Sequence, residues 1–159
     1  MTIGVGDSLP SVQLTRLTPD GREPVDTGSY FKGRRVALFA VPGAFTPTCS
    51  AKHLPGFVEK ADALKAKGVE EIACTSVNDP FVLEAWAKAS DAQGITMLAD
   101  GNGDFATALG LDMDGTKFGM GKRSQRYAMI VNDGTVESLH VEEPGEFRVS
   151  SADHLLDTL

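Results

Sequence analysis

A proline, a threonine and a cysteine are spaced along one short segment so that together they could make a reactive sulfur. The segment Pro42-Gly43-Ala44-Phe45-Thr46-Pro47-Thr48-Cys49 follows an apolar run, residues 36–41, that predicts a buried strand. Thr46 can cap a helix and Pro47 suits its first position, so Cys49 falls in the first turn. Unpaired backbone N–H groups and the positive end of the helix dipole favour an anion there. The pattern therefore predicts a cysteine held largely as the nucleophilic thiolate at neutral pH.

The rest of the chain predicts the elements that must hold this segment in place. Apolar runs of strand length alternate with helical patterns, and Asn132-Asp133-Gly134 is a strong hairpin signal between two of the strands. Asp79-Pro80 opens one of the helices, because aspartate caps well and proline suits the first helical position. The predicted elements are a strand pair within 8–27, a strand over 36–41, the helix that carries Cys49, a strand over 70–77, a helix from Asp79-Pro80, a strand over 96–99, a helix over 104–109, strands over 127–131 and 136–141, and a final helix capped by Ser150 or Ser151.

This order is that of the thioredoxin-like fold. We expect an α/β protein with a central mixed sheet flanked by helices, an N-terminal strand pair and an insertion before the final hairpin. In this fold the redox cysteines lie where the first buried strand meets its helix, which is the position of Cys49. Thioredoxins carry Cys-x-x-Cys there, whereas this chain has threonine, Thr46, in the place of the first cysteine. Rapid disulfide exchange within a local pair is therefore excluded.

Pro55 lies inside the helix predicted after Cys49. A proline there removes a backbone hydrogen bond and crowds the preceding turn. We expect a kink near Pro55, which leaves the turn that carries Cys49 weakly held.

Composition and charge limit the class of protein. The 159 residues suit one domain, residues 1–159, with a sizeable core. A net charge of −7 argues against nucleic acid as a partner, because phosphate binding needs clustered positive charge. No signal segment is apparent, and no apolar run is long enough to span a membrane. Two cysteines are too few for a disulfide scaffold, so we expect a cytoplasmic protein with reduced thiols and no membrane partner.

The pattern Pro-x-x-x-Thr-x-x-Cys, which runs from Pro42 to Cys49, is accompanied by five further segments. These are Gly6-Asp7-Ser8-Leu9-Pro10, His53-Leu54-Pro55-Gly56-Phe57, Asn78-Asp79-Pro80-Phe81-Val82, Ala99-Asp100-Gly101-Asn102-Gly103 and Arg123-Ser124-Gln125-Arg126-Tyr127. Together they resemble the peroxiredoxins, and in particular the type II, or peroxiredoxin-5-like, branch. The resemblance extends over essentially the whole chain.

The resemblance implies a thiol peroxidase that reduces hydrogen peroxide and small organic hydroperoxides. It implies that Cys49 is the peroxidatic nucleophile, which becomes a sulfenic acid. It further implies that Thr46 hydrogen-bonds the peroxide, that Pro42 shields the site from water and that Arg126 stabilises the thiolate and the leaving oxygen. These residue types suit the reaction, because fixed donors and positive charge favour an anionic sulfur. Members of this branch commonly form homodimers, and we expect one here.

The fate of the sulfenic acid depends on a second thiol. Some members of the branch place a resolving cysteine near the C-terminus, but residues 146–151 of this chain contain none. Cys74 is an alternative resolving residue, although the predicted strand places it inside the sheet, where pairing with Cys49 would require local unfolding. We favour an external reductant, either glutathione with glutaredoxin or a thioredoxin.

Two other functions remain open from the sequence. A redox sensor or partner-binding protein of the same fold would oxidise at Cys49 but turn over poorly. A cysteine hydrolase would pair Cys49 with His53, one helical turn further on, although His53 is better interpreted as a structural or supporting residue. Two such side chains do not make a zinc site, and no phosphate-binding or dinucleotide motif is present, so no metal or bound cofactor is expected.

Overall fold

The structure is a computed structural model that describes residues 2–159, with Cys49 described in its backbone only. The strands are β1 (Gln13–Thr18), β2 (Gly21–Asp26), β3 (Arg35–Ala40), β4 (Glu71–Ser76), β5 (Thr96–Ala99), β6 (Asp112–Asp114), β7 (Lys122–Ser124), β8 (Tyr127–Asn132) and β9 (Thr135–Val141). The α-helices are α1 (Thr27–Tyr30), α2 (Leu54–Glu59), α3 (Ala61–Ala66), α4 (Pro80–Ala89), α5 (Asp104–Leu109) and α6 (Ala152–Thr158). A π-helix spans Cys49–His53, and a 3-10 helix spans Thr116–Phe118.

Seven strands form one mixed sheet in the order β2-β1-β5-β4-β3-β8-β9. The three central strands, β3, β4 and β5, are parallel, as expected for strands joined by helical crossovers. β8 and β9 add an antiparallel hairpin beside β3, and the strand pair β1–β2 joins β5 at the other side. The predicted mixed sheet, N-terminal strand pair and final hairpin are confirmed.

Alternation along β3 divides the core between the two faces of the sheet. Ala37 and Phe39 face a cluster that includes side chains of α2, α3, α4 and α6. Val36 and Leu38 face a second cluster, which includes side chains of α1 and α5. All four are fully buried. Because β3 is covered on both faces, its carboxyl end is a rigid platform for the segment that follows it.

The two edge strands differ from the centre of the sheet. β2 contains Pro24, which has no backbone N–H and lies opposite Thr15 of β1. At the other edge, an N-terminal segment bonds the start of β9: Gly6 N–H donates to Val136 O at 2.8 Å, and Val136 N–H donates to Asp7 O at 2.9 Å.

Two features of the structure are not evident from the sequence. The predicted insertion is present, but it contains the two-stranded sheet β6–β7, which three-residue strands without alternation do not reveal. In α4, the apolar Phe81 is 59% exposed, whereas Leu83 and Trp86 are buried. No helix in residues 2–159 is long and apolar enough to cross a membrane.

Candidate active site

The loop after β3 is unusually tight around Gly43. A Cβ added there would lie 3.2 Å from Thr46 Cγ2 and 3.3 Å from both Arg123 Nη1 and Met120 Cε. Phe45 has a φ of +64°, a left-handed conformation that residues other than glycine rarely adopt. Such a conformation costs roughly 1–3 kcal/mol and is typically found at functional sites.

This turn brings Thr46 back toward Gly43. The Thr46 Oγ1 hydroxyl donates to the Gly43 carbonyl oxygen at 2.7 Å. A hydroxyl has one proton to donate, so the Thr46 oxygen is left with lone pairs that can accept a hydrogen bond. Pro42 precedes this loop at the end of β3 and is half-buried.

A π-helix, Cys49–His53, takes the place of the first turns of the predicted α-helix. The sequence predicts a kink near Pro55, but the irregularity lies at residues 49–53 instead, and Pro55 lies in the first turn of α2, where its missing N–H is tolerated. The Ser50 N–H donates to Thr46 O at 2.9 Å, and Trp86 Nε1 of α4 donates to Ser50 Oγ at 2.9 Å. Single π-turns of this kind are frequent at functional sites.

Arg126 reaches this π-helix from just before β8. Its Nη1 lies 2.9 Å from Nδ1 of His53, the last residue of the π-helix. A guanidinium has donors and no acceptor, so Arg126 donates and Nδ1 must carry the lone pair. Arg126 is thus held against the last residue of the π-helix that begins at Cys49, and its role toward Cys49 stays a prediction. The Cys49 side chain itself lies outside the described part of the structure.

His53 is fully buried, and its tautomer follows from its two contacts. Since Nδ1 accepts from Arg126, Nε2 carries the proton and donates to Ser150 O at 2.9 Å. Burial, together with the positive charge of Arg126, lowers the pKa of His53 to about 3. His53 is therefore neutral near pH 7. The sequence predicts a structural or supporting role for His53, but it does not predict the contact with Arg126, 73 residues away.

The chain matches a known protein family over almost its whole length. A family model described as Redoxin matches residues 4–156. Peroxiredoxin-2B of Arabidopsis thaliana is 47% identical over 99% of this chain and 98% of its own length. This chain belongs to the peroxiredoxins, within the redoxin family. The resemblance inferred from the motifs is confirmed, and the protein is a thiol-dependent peroxidase and an oxidoreductase.

Two further relatives support the same conclusion for this peroxiredoxin. Peroxiredoxin-2E-2, chloroplastic, of Oryza sativa subsp. japonica is 50% identical over 99% of this chain and 73% of its own length. The crystal structure of reduced Prx3 of Vibrio vulnificus in complex with hydrogen peroxide is 52% identical, with a TM-score of 0.96 and 99% of both chains covered. Together with the observed mixed sheet, these relatives confirm the thioredoxin-like fold.

The second cysteine of the peroxiredoxin is buried inside the sheet. Cys74 lies in β4, opposite Phe39 of β3 and Met97 of β5, and is fully buried. It belongs to the cluster on the α2 and α4 side of the sheet, with Phe57 and Trp86. The predicted position inside a strand is therefore correct. Access of a second sulfur to Cys74 would require the strand's surroundings to open.

Within residues 2–159, and leaving aside the Cys49 side chain, no group of three metal-ligating side chains comes together.

Proposed function

We propose that this peroxiredoxin reduces hydrogen peroxide and small organic hydroperoxides at Cys49. The observation that carries the proposal is the contact between Arg126 and His53, because it holds a guanidinium beside the π-helix that begins at Cys49. A fixed positive charge favours the thiolate and the negative charge that develops on the leaving oxygen. The related Vibrio vulnificus protein, solved in complex with hydrogen peroxide, supports the choice of substrate.

The proposed reaction transfers one oxygen atom to sulfur. The Cys49 thiolate attacks the terminal oxygen of ROOH, the S–O bond forms and the O–O bond breaks. The leaving RO⁻ takes a proton and departs as an alcohol, or as water when the substrate is hydrogen peroxide. Sulfur is oxidised by two electrons to the sulfenic acid, which an external thiol then converts to a mixed disulfide with loss of water. A second external thiol then attacks the mixed disulfide, which releases the Cys49 thiolate and joins the two external sulfurs in a disulfide, so that the two thiols together supply the one electron pair of the cycle.

Thr46 and Pro42 have separate proposed roles. Because the Thr46 hydroxyl donates to Gly43 O, its oxygen is free to accept the O–H of a bound hydroperoxide and so to orient the O–O bond. Pro42 would shield the sulfur from bulk water with a side chain that offers no polar group. Both roles follow from the family resemblance, and the hydrogen bond of Thr46 supports the first.

We expect Cys74→Ser to leave turnover nearly unchanged when an external thiol is supplied. Cys74 is fully buried in β4, so it is poorly placed to reach the Cys49 sulfenic acid. The measurement is peroxide consumption by the wild type and the variant with glutathione plus glutaredoxin, or with thioredoxin plus its reductase, as the reductant. A large loss in the variant with both reductants would identify Cys74 as the resolving residue.

The same reductant series separates the peroxidase from the alternative function. Rapid turnover with glutathione plus glutaredoxin supports that pair as the physiological reductant, and rapid turnover with thioredoxin plus its reductase supports thioredoxin. Oxidation at Cys49 followed by slow reduction with every donor would instead favour a redox sensor that passes its oxidation to partner proteins.

We also propose that two copies associate through the loops around Gly43. Three segments meet there: Ala44 N–H donates to Asn78 Oδ1 at 3.0 Å, and Arg123 Nη1 donates to Val77 O at 3.3 Å. Each segment carries an exposed phenylalanine, namely Phe45, Phe81 and Phe118, which are 55%, 59% and 73% exposed. Exposed aromatic side chains on segments that meet one another are typical of protein interfaces.

The expected result is a homodimer that Phe81→Ser or Phe118→Ser weakens. A stable interface buries on the order of 800 Å² per subunit, and loss of a buried aromatic commonly weakens association by about tenfold or more. Sedimentation velocity across a concentration series measures the change. Val5→Ser is the matched control, because Val5 is 66% exposed but lies in the N-terminal segment. A wild type that sediments as a monomer at all concentrations would contradict the proposal.

We propose a cytoplasmic location, supported by the two cysteines of the sequence, which are too few for a disulfide scaffold and suit a compartment that keeps thiols reduced. Cell fractionation followed by detection of the protein tests it.

A further inference from the structure

Four residues near Cys49 form a closed ring of hydrogen bonds. Arg126 Nη1 donates to His53 Nδ1 at 2.9 Å, and His53 Nε2 donates to Ser150 O at 2.9 Å. Ser150 N–H and Ser150 Oγ each donate to Glu142 Oε2 at 2.7 Å. The ring closes through the backbone, because Glu142 N–H donates to Arg126 O at 3.0 Å. Arg126 is thus held at both its backbone and its guanidinium.

The Glu142 carboxylate is the anchor of this ring. Besides Ser150, it accepts the backbone N–H groups of Arg148, at 2.8 Å, and Val149, at 2.8 Å. Burial opposes its ionisation, but the hydrogen bonds from Ser150 and from these amides outweigh it and lower the pKa of Glu142. A charged carboxylate therefore ties residues 148–150 to the end of β9, and fixes the carbonyl that His53 meets.

His53 connects the Ser150 carbonyl to Arg126 through its two ring nitrogens, and it adds no charge because its ring is neutral. Its ring lies in an aromatic cage, with centroids 5.0 Å from Phe39, 5.6 Å from Phe57 and 5.0 Å from Phe147. The guanidinium carbon of Arg126 also lies 5.8 Å from the Phe147 ring centroid. A neutral imidazole that is held on three sides presents its lone pair in one direction. A long arginine side chain bonded to it loses most of its rotamer freedom.

We infer that His53 and Glu142 are positioning residues for Arg126, and that the ring holds the guanidinium in the orientation that peroxide reduction uses. The inference rests on the proposed roles of Cys49 and Arg126. Neither positioning residue needs to touch the peroxide. Residues that orient the ligands of a bound metal change activity by about 10- to 100-fold when they are removed, and we expect effects of that size here, because small displacements of a charged group are costly in a preorganised site.

Substitutions at His53 separate its two hydrogen bonds. In His53→Asn, Oδ1 occupies roughly the place of Nδ1 and can still accept from Arg126. In His53→Gln, the amide nitrogen reaches roughly the place of Nε2 and can still donate to Ser150 O. We expect His53→Gln to lower the second-order rate constant with hydrogen peroxide by about 10- to 100-fold, and His53→Asn to stay closer to the wild type.

Glu142→Gln tests the far end of the ring. It keeps the shape of the side chain but removes the charge that Ser150 and its neighbours bond, so we expect about a tenfold loss of rate. The double variant His53→Gln with Glu142→Gln should lose little more than His53→Gln alone, because both act through one path. Glu71→Gln is the matched control, because Glu71 is also a hydrogen-bonded glutamate but lies near the opposite end of the central strands. Its carboxylate accepts from Arg34 and from Thr96 Oγ1, and the second of these distances is 2.6 Å.

A second readout distinguishes positioning from simple loss of structure. We expect the pH midpoint of iodoacetamide alkylation at Cys49 to move upward in His53→Gln and Glu142→Gln, and not in Glu71→Gln, because a displaced guanidinium stabilises the thiolate less. Unchanged rates and midpoints in both variants, or equal damage by His53→Asn and His53→Gln, would overturn the inference. If His53→Gln does not fold, Glu142→Gln alone decides. If the wild type consumes no peroxide, the proposed function fails, while the alkylation midpoints still test the ring.

Discussion

Cys49→Ser should abolish peroxide consumption. A serine hydroxyl is a far weaker acid than a thiol and stays protonated at neutral pH, so no anionic nucleophile remains at the start of the π-helix. Loss of a nucleophile commonly lowers turnover by a thousandfold or more, and we expect at least about that loss here. The measurement is hydrogen peroxide consumption at saturating reductant, with the melting temperature as a check on folding.

The Cys74→Ser variant is the control for Cys49→Ser. Cys74→Ser removes a thiol from the same protein, but from a buried position in β4. A folded Cys49→Ser variant that consumes peroxide at the wild-type rate would sink the peroxidatic assignment and leave only the fold and family.

Arg126→Ala is expected to have the next largest effect. Removal of one donor that stabilises developing charge costs about 10²–10³ in rate in other enzymes, and Arg126 would also stabilise the Cys49 thiolate before the reaction. The loss should therefore fall in the second-order rate constant with peroxide. Stopped-flow measurement under single-turnover conditions isolates that step from reduction by the external thiol.

Arg126→Lys gives a sharper comparison than alanine alone. Lysine keeps the positive charge, but it lacks the planar guanidinium, which can donate to His53 and to the reacting groups at the same time. We therefore expect a rate between those of the wild type and Arg126→Ala. Arg16→Ala is the control, because Arg16 pairs with Glu23 at 3.0 Å on the strand pair at the other side of the sheet. If peroxide oxidises Cys49 of the Arg126→Ala variant at the wild-type rate, the proposed role of Arg126 is contradicted.

Local signals explain why much of the fold could be predicted from the sequence. The hairpin around Asn132-Asp133-Gly134 needs only its turn residues and the apolar strands beside them, and both strands are present. The start of α4 is equally local, since the Asp79 side chain accepts the Val82 N–H at 2.9 Å. Ser151 caps α6 in the same way, by accepting from the His154 N–H.

The contacts that support the site depend on residues that are distant in the sequence. Nothing near His53 in the sequence indicates that Arg126 and Ser150 will meet its two nitrogens, because those contacts exist only once β8 and β9 have paired. The π-helix is a partial case, since Pro55 indicates an irregularity in this helix but does not indicate that residues 49–53 form a π-helix. The positive φ of Phe45 was also hidden, because phenylalanine carries no preference for that conformation. The type of site was therefore predictable, and its supporting contacts were not.

The two edge strands of the seven-stranded sheet, β2 and β9, limit the pairing of strands between copies of this protein. Pro24 removes a donor from the outer row of β2, with which an incoming strand would pair. At β9, residues 6–9 already occupy the first positions, through Gly6, Asp7 and a bridge from Ser8 to Thr135. Strand addition, the route to domain swapping and amyloid-like growth, is therefore disfavoured at both ends.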